Sequence, residues 1–332
     1  MTNIDPWNNI EPPTASNEFK AHLVDKKGKW GFWWAVGIDR HRYLVLLYSS
    51  DATPSVGLPK MKGIETAIIV DPDNEAKSTL SFKLMDTAQS DIFHRLCLDI
   101  ISSCGIAKTE AESVTIAISR AWRWHHLLRG GSDGRLSPEE QKGLIGELRI
   151  LQNFLLPFFS SAAALQAWGG PIGTPIDFEI NRIGIEAKAR RGGSAPFVSI
   201  SSEFQLDEDG LDALFLNVVE VDRAEKSAVE AVTLTTVVEI VRSLLSDDAL
   251  IEFEGKLSAV GFSWSDNYDD YWWIEGTSQI YAVVDDFPRI APDSVASGVS
   301  GIRYSISLPE CKPFLTSTDS VTEILRNLNH AS

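Results

Sequence analysis

Cysteine is scarce in this chain: Cys97, Cys104 and Cys311 are the only three in 332 residues. An odd number without metal-ligand spacing argues against a disulfide framework and fits reduced thiols in the cytoplasm, so stability must come from packing. Long apolar runs are missing as well. No stretch offers about 18 uninterrupted apolar residues, and the start, Met1-Thr2-Asn3-Ile4-Asp5-Pro6, has no cationic segment followed by an apolar one, so neither a membrane span nor a secretory leader is expected. A glycine-rich phosphate loop, an HExxH helix and a GxSxG elbow are also absent, which leaves ATP hydrolysis and triad chemistry without support. There is no internal repeat and no low-complexity tract.

Positive charge is in deficit, with 30 Lys+Arg against 46 Asp+Glu and a formal net charge of −16. Taken as an average, that counts against a polyanionic partner. The deficit is local, however: residues 1–200 carry 22 of each sign, and residues 201–332 carry 8 basic and 24 acidic. Arg182, Lys188, Arg190 and Arg191, with Glu186 as the only acid from 182 to 191, form a basic group that can face a polyanion. On charge alone, an ordinary solvated hairpin end is the better explanation of this group.

What is present describes a folded chain, 44% hydrophobic, 9% aromatic and 23% charged, long enough for two or three packed units. After an irregular lead-in over residues 1–17, segments 30–39 and 42–49 read as strands turned at Arg40-His41, and 65–70 and 79–85 extend them into a sheet. Phe93, Leu96, Cys97, Ile100, Ile101 and Cys104 recur at helical spacing and form one buried stripe. A second helix spans about 108–129. Its Trp122-Arg123-Trp124-His125-His126 run is read as core packing with one exposed histidine, because adjacent histidines on a helix project about 100° apart. Gly130-Gly131-Ser132-Asp133-Gly134 then marks a boundary. Beyond it, Ser137-Pro138-Glu139-Glu140 is a helix start with a serine cap, a first-turn proline and a capping-box glutamate, and the helix continues to about 156. A loop is expected over 163–174, strands at 198–201 and 214–221, a helix over 228–245, strands at 271–274, 279–284 and 302–308, and a helix from Ser320.

The most informative segment runs from Pro175 to Ala189 and alternates with period two on both sides of Asn181-Arg182. A turn centred there pairs Ile180 with Ile183 and sets Asp177 opposite Glu186. Like charges so placed destabilise a sheet, so something must offset them. Ile176, Phe178 and Ile180, with Ile183, Ile185, Ala187 and Ala189, point to the other face, where they bury against the capped helix and fix the register. Two hard oxygen ligands at that spacing suit Mg²⁺, for which Mn²⁺ can substitute, and Lys188 emerges on the same face. Glu147, in Gly143-Leu144-Ile145-Gly146-Glu147-Leu148, adds a third carboxylate, with Gly143 and Gly146 allowing close approach to a sheet. Glu179 shares the face of Asp177 and is read as solvated. Gln205 can approach from the segment after the sheet.

Glu147, Asp177 and Glu186-Ala187-Lys188 resemble the PD-(D/E)XK nuclease superfamily. The wider pattern, with Trp168, Ile176-Asp177-Phe178 and Ile200-Ser201-Ser202-Glu203-Phe204-Gln205-Leu206, is similar to an uncharacterised branch of PD-(D/E)XK motif proteins encoded near restriction and phage-defence genes. The resemblance implies an α+β chain with a restriction-endonuclease-like αβββαβ core: a β-rich unit over 1–130, the core over 137–225, and an acidic α+β extension over 226–332. It also implies a Mg²⁺-dependent DNA endonuclease of the cytoplasm, with Asp177, Glu186 and Glu147 as metal ligands and Lys188 positioning water. Arg182, Arg190, Arg191 and Gln205 are then the candidates for substrate binding. DNA is the expected partner, with other restriction or defence-system subunits and a homodimer as further options. Ile176 stands where the superfamily usually has proline, which here is Pro175. A catalytically silent scaffold on the same fold, docking a defence subunit through its acidic third, stays open, as does an RNA or repair-intermediate substrate.

Overall fold

The structure, a computed structural model, describes residues 5–14, 19–53, 57–72, 74–128 and 135–331. The glycine-rich boundary at 130–134 and residues 1–4 and 15–17 of the lead-in lie outside the described residues. The chain divides into two compact units, Met1–Gly134 with Glu254–Gly261, and Arg135–Phe253 with Phe262–Ser332.

The first unit holds β1 (Phe19–Leu23), β2 (Gly31–Gly37), β3 (Arg42–Ser49), β4 (Ile64–Asp71) and β5 (Asn74–Leu84), then α1 (Ser90–Cys104) and α2 (Glu110–Leu128). Its sheet is antiparallel throughout, in the order β1-β2-β3-β5-β4. Alternation drives Phe32, Trp34, Leu44, Leu46, Leu80 and Phe82 onto one face. There they meet Phe93, Leu96, Cys97 and Ile100 of α1 and Val114 and Ile118 of α2. The thiols are core groups, and burial pushes Cys104 up to about 12. Trp122 Nε1 donates to the Gly57 carbonyl, Trp124 Nε1 to Asp99, and His126 Nε2 bonds the Ala259 carbonyl, so this aromatic run serves packing within its unit. β1 was not anticipated: its four outermost residues are exposed, and Phe-Lys-Ala-His-Leu carries no clear alternation.

The second unit opens with α3 (Pro138–Ile150), whose Ser137–Glu140 capping box forms as the sequence predicts, followed by a π-helical turn at Leu151–Leu155. α4 (Ser161–Ala167) occupies part of the expected loop, because Ser160 caps a run of alanines and a leucine. Then come β6 (Phe178–Ile180), β7 (Ile183–Arg190), β8 (Phe197–Ile200) and β9 (Ala213–Ala224). They are followed by α5 (Leu234–Leu244), α6 (Leu250–Val260, of which the part from Glu254 belongs to the first unit), β10 (Trp272–Ala282), β11 (Tyr304–Ser307), α7 (Leu308–Cys311), β12 (Leu315–Thr316) and α8 (Thr318–Ala331). The main sheet is ordered β12-β10-β9-β7-β6, with β7 and β9 parallel, while β8 and β11 form a separate two-stranded ladder.

This is an α+β fold. Its α3-β6-β7-β9-α5-β10 succession runs past residue 225, so the boundary expected at 225/226 falls inside one compact unit and between two paired strands, β9 and β10. Two expected strands at 271–284 are one strand with a bulge between Glu275 and Ser278. The helix expected from 228 begins at Leu234, where Thr233 provides the cap. Among the described residues no helix is long and apolar enough to cross a membrane.

Candidate functional site

The hairpin forms in the predicted register: Ile180 pairs with Ile183, Glu179 with Gly184 and Phe178 with Ile185. Asn181 (φ 47°) and Arg182 (φ 66°) both take the left-handed conformation at its tip, as a type I′ turn requires. The buried side chains of Phe178, Ile183 and Ile185 hold this register, and Trp168 stacks on Phe178 at 6.3 Å between centroids. α3 lies against the same sheet through Gly146, where a Cβ would stand 3.3 Å from Val219 and 3.6 Å from Ala189. Gly143 makes no such approach, since nothing lies within 4 Å of its would-be Cβ.

One residue past the ladder, the Asp177 and Glu186 carboxylates each accept a backbone N–H from the opposite strand. Asp177 N–H donates to Glu186 Oε2 at 3.3 Å, and Ala187 N–H donates to Asp177 Oδ2 at 2.8 Å. Glu186 is wholly buried. Its strand partner on β9 is Leu216, and that of Lys188 is Val218; both belong to an apolar cluster with Val198, Ile200 and Ile306. The Lys188 ammonium offsets the cost of that burial, donating to Glu186 Oε1 at 2.6 Å and to Gln205 Oε1 at 3.2 Å. Gln205 is itself fixed by the Ser201 N–H at 2.7 Å.

Glu147 enters from α3, with Oε2 accepting from Trp168 Nε1 at 2.7 Å. It meets Asp177 over Gly170: a Cβ there would stand 2.9 Å from Glu147 Oε2 and 3.0 Å from Asp177 Oδ1. The two carboxylates therefore converge on a space that only glycine leaves open. Gly169 and Gly170 also donate both backbone N–H groups to the Asp177 carbonyl, at 2.8 and 3.1 Å, locking this loop to the strand that carries the acid.

Burial pushes all three carboxyls upward. Glu147 reaches about 8, with burial the largest cause and neighbouring Asp177 the next, against the Trp168 hydrogen bond and the Lys188 charge. Asp177 is raised by burial, with Lys188 and the Ala187 N–H opposing. Glu186 lies well above its ordinary range for the same first reason, with Asp177 adding to it. Carboxyls held in this way release protons when a cation binds them.

Among the described residues, no three or more His, Cys, Asp or Glu side chains are grouped to hold a metal ion. The convergent pair does fit a hard divalent cation, since Mg²⁺ keeps several waters and binds through one or two carboxylates. Glu147 and Asp177 would hold it across Gly170, and Glu186, whose oxygens accept from Lys188 and from the Asp177 N–H, keeps a further lone pair on each for the third ligand position.

Glu147, Asp177, Glu186, Lys188 and Gln205 are thus brought together. Arg182 is not: it pairs with Asp212 at the exposed hairpin tip, roughly 13 Å from Glu186 along the strand. Arg190 is tied to Glu220 at 2.7 Å and to the Ser194 carbonyl at 2.6 Å, and Arg191 is exposed beside it. Glu179 is exposed, opposite Gly184. Sequence reasoning missed the cradle at Gly170 and the indole donor of Trp168. Trp168 stood in the family-like pattern without a role, and Gly169-Gly170-Pro171 after it reads as an ordinary turn.

The profile of the family described as "Putative PD-(D/E)XK family member, (DUF4420)" matches residues 3–309. No curated protein and no solved structure matches the chain.

Proposed function

Since the chain belongs to this PD-(D/E)XK-type family, we propose that it is a Mg²⁺-dependent endonuclease that hydrolyses DNA phosphodiester bonds, in restriction or phage defence. One observation carries the reading: the Glu147 and Asp177 carboxylates converge over Gly170, with the Lys188 ammonium on the adjacent strand position held by Glu186 and Gln205. A divalent cation on the two carboxylates supplies Lewis-acid stabilisation of charge developing on a phosphoryl oxygen. Lys188 orients the attacking water and places a positive charge at the phosphoryl centre. Glu186 holds that ammonium on the sheet face, Gln205 limits its swing, and the apolar wall of Leu216 and Val218 excludes bulk water from behind it.

The test is cleavage of plasmid and phage DNA by the purified protein in Mg²⁺ or Mn²⁺. Cutting is expected, and Lys188→Ala or Asp177→Ala should abolish it while leaving the melting transition cooperative. Variants that cut as well as the parent would sink the assignment. A second reading, a silent scaffold that docks a defence-system partner, draws on the engagement of both Glu186 oxygens and on the acidic third of the chain. Calorimetry separates the two: a metal-binding heat lost in Asp177→Ala favours the nuclease, and no heat favours the scaffold.

A further inference from the structure

A cavity of about 350 Å³ lies next to Lys188, between α3 and the β7–β8 connection. Its lining includes Lys142, Lys188, Arg190 and Arg191 against a single acid, Glu139. On a chain of net charge −16, four cations to one carboxylate in one groove is a strong local reversal. The four do not act alike. Lys188 belongs to the site already described. Arg190 is a bracket: its guanidinium spans Glu220 and the Ser194 carbonyl, so it shapes the connection after β7 rather than reaching outward. That leaves Lys142 and Arg191.

Lys142 is only 4% exposed, and its ammonium is held at 2.6 Å by Glu139, a carboxylate that is itself 78% exposed. A solvated acid compensates a buried ammonium poorly. Arg191 is exposed, and its side chain makes no hydrogen bond or ion pair among the described residues. A planar guanidinium and a compact ammonium facing one groove suit phosphate oxygens, the first as a fork and the second as a point charge. At the rim, Phe197 is 51% exposed, and an exposed aromatic ring there suits stacking with a base.

We propose that this groove is a phosphate-binding subsite for the DNA strand that passes Lys188, with Lys142 and Arg191 as its contacts. The inference rests on the nuclease reading but is tested without cleavage. The probe is a fluorescein-labelled DNA duplex, followed by anisotropy in EDTA across a salt series, with Lys142→Met (which keeps the stem), Arg191→Ala and, as a control outside the groove, Lys312→Ala.

Lys142→Met and Arg191→Ala should each weaken binding by about 3- to 10-fold and lower the salt slope by about one, as loss of one phosphate contact does. Lys312→Ala should bind as the parent does. Parental affinity and slope in both groove variants, or no DNA binding by the parent, would overturn the subsite. Weakened binding together with no cutting by the parent in Mg²⁺ or Mn²⁺ would keep the subsite and remove the hydrolase reading. Cutting with unaltered binding in the variants would do the reverse.

Discussion

The two units each contain a five-stranded sheet, and they treat the second face of that sheet differently. In the first unit one face packs on α1 and α2, while the other is an open trough of about 680 Å³ over small side chains such as Ala35, Ala67 and Ser81. Its charged members, Glu65, Asp71 and Lys83, cost little because water reaches that face. In the second unit α3 lies over one face, and the apolar cluster of Leu214, Leu216 and Val218 with the β8–β11 ladder covers the other. Alternation along β7 nonetheless carries Glu186 and Lys188 onto that covered face. The same period-two pattern that leaves Glu65, Asp71 and Lys83 within reach of water on the open face of one sheet makes a buried ion pair in the other. Buried charge that persists at a cost points to chemistry.

Breaking the first sheet's closed face should produce the largest stability change. Phe82→Ala empties a fully buried site, and a loss of about 3–5 kcal/mol is expected in denaturant melts. Next is Gly170→Ala, whose Cβ would press on both convergent carboxylates. Cutting should fall by about 100-fold, the scale of an ångström-sized misplacement, with little change in melting. Parental rates in this variant would show that the cradle is not used.

The pH dependence sharpens the contrast further. Glu147, with its folded value raised to about 8, contributes stability that is fully present below the ordinary carboxyl range and is lost as pH rises through about 8. In EDTA the parent should therefore melt progressively lower from pH 6 to 8.5 relative to Glu147→Gln, and Mg²⁺ should recover more at the alkaline end. Parallel profiles for the two proteins would contradict the buried carboxyl. The smallest effect is expected at the open face: Leu47→Ala, at a position 45% exposed, should change stability by no more than about 0.5 kcal/mol.

Much of the site was legible because it is local. The turn at Asn181-Arg182 and the alternation around it fix which residues face each other, so Asp177 opposite Glu186 follows from counting. The cap at Ser137-Pro138-Glu139-Glu140 likewise announces α3. By contrast, the parallel pairing of β7 with β9 joins segments linked through β8, and nothing in either strand names its neighbour. β10 looked like two strands because its bulge interrupts the alternation, and α4 was hidden behind a glycine-rich stretch that reads as loop. The role of Arg182 was equally out of reach, since its partner Asp212 lies thirty residues on.

By itself the sequence determined the hairpin register, the capped helix, the buried thiols and the order of the acids and the lysine, because each depends on spacings of a few residues and on steric preferences of the backbone. Only the tertiary structure decided that Glu147 meets Asp177 over Gly170, that Glu186 is sealed against Leu216, and that Gln205 reaches Lys188. Those contacts join residues from different elements, and packing of a closed sheet face, which no local preference encodes, sets the distances between them.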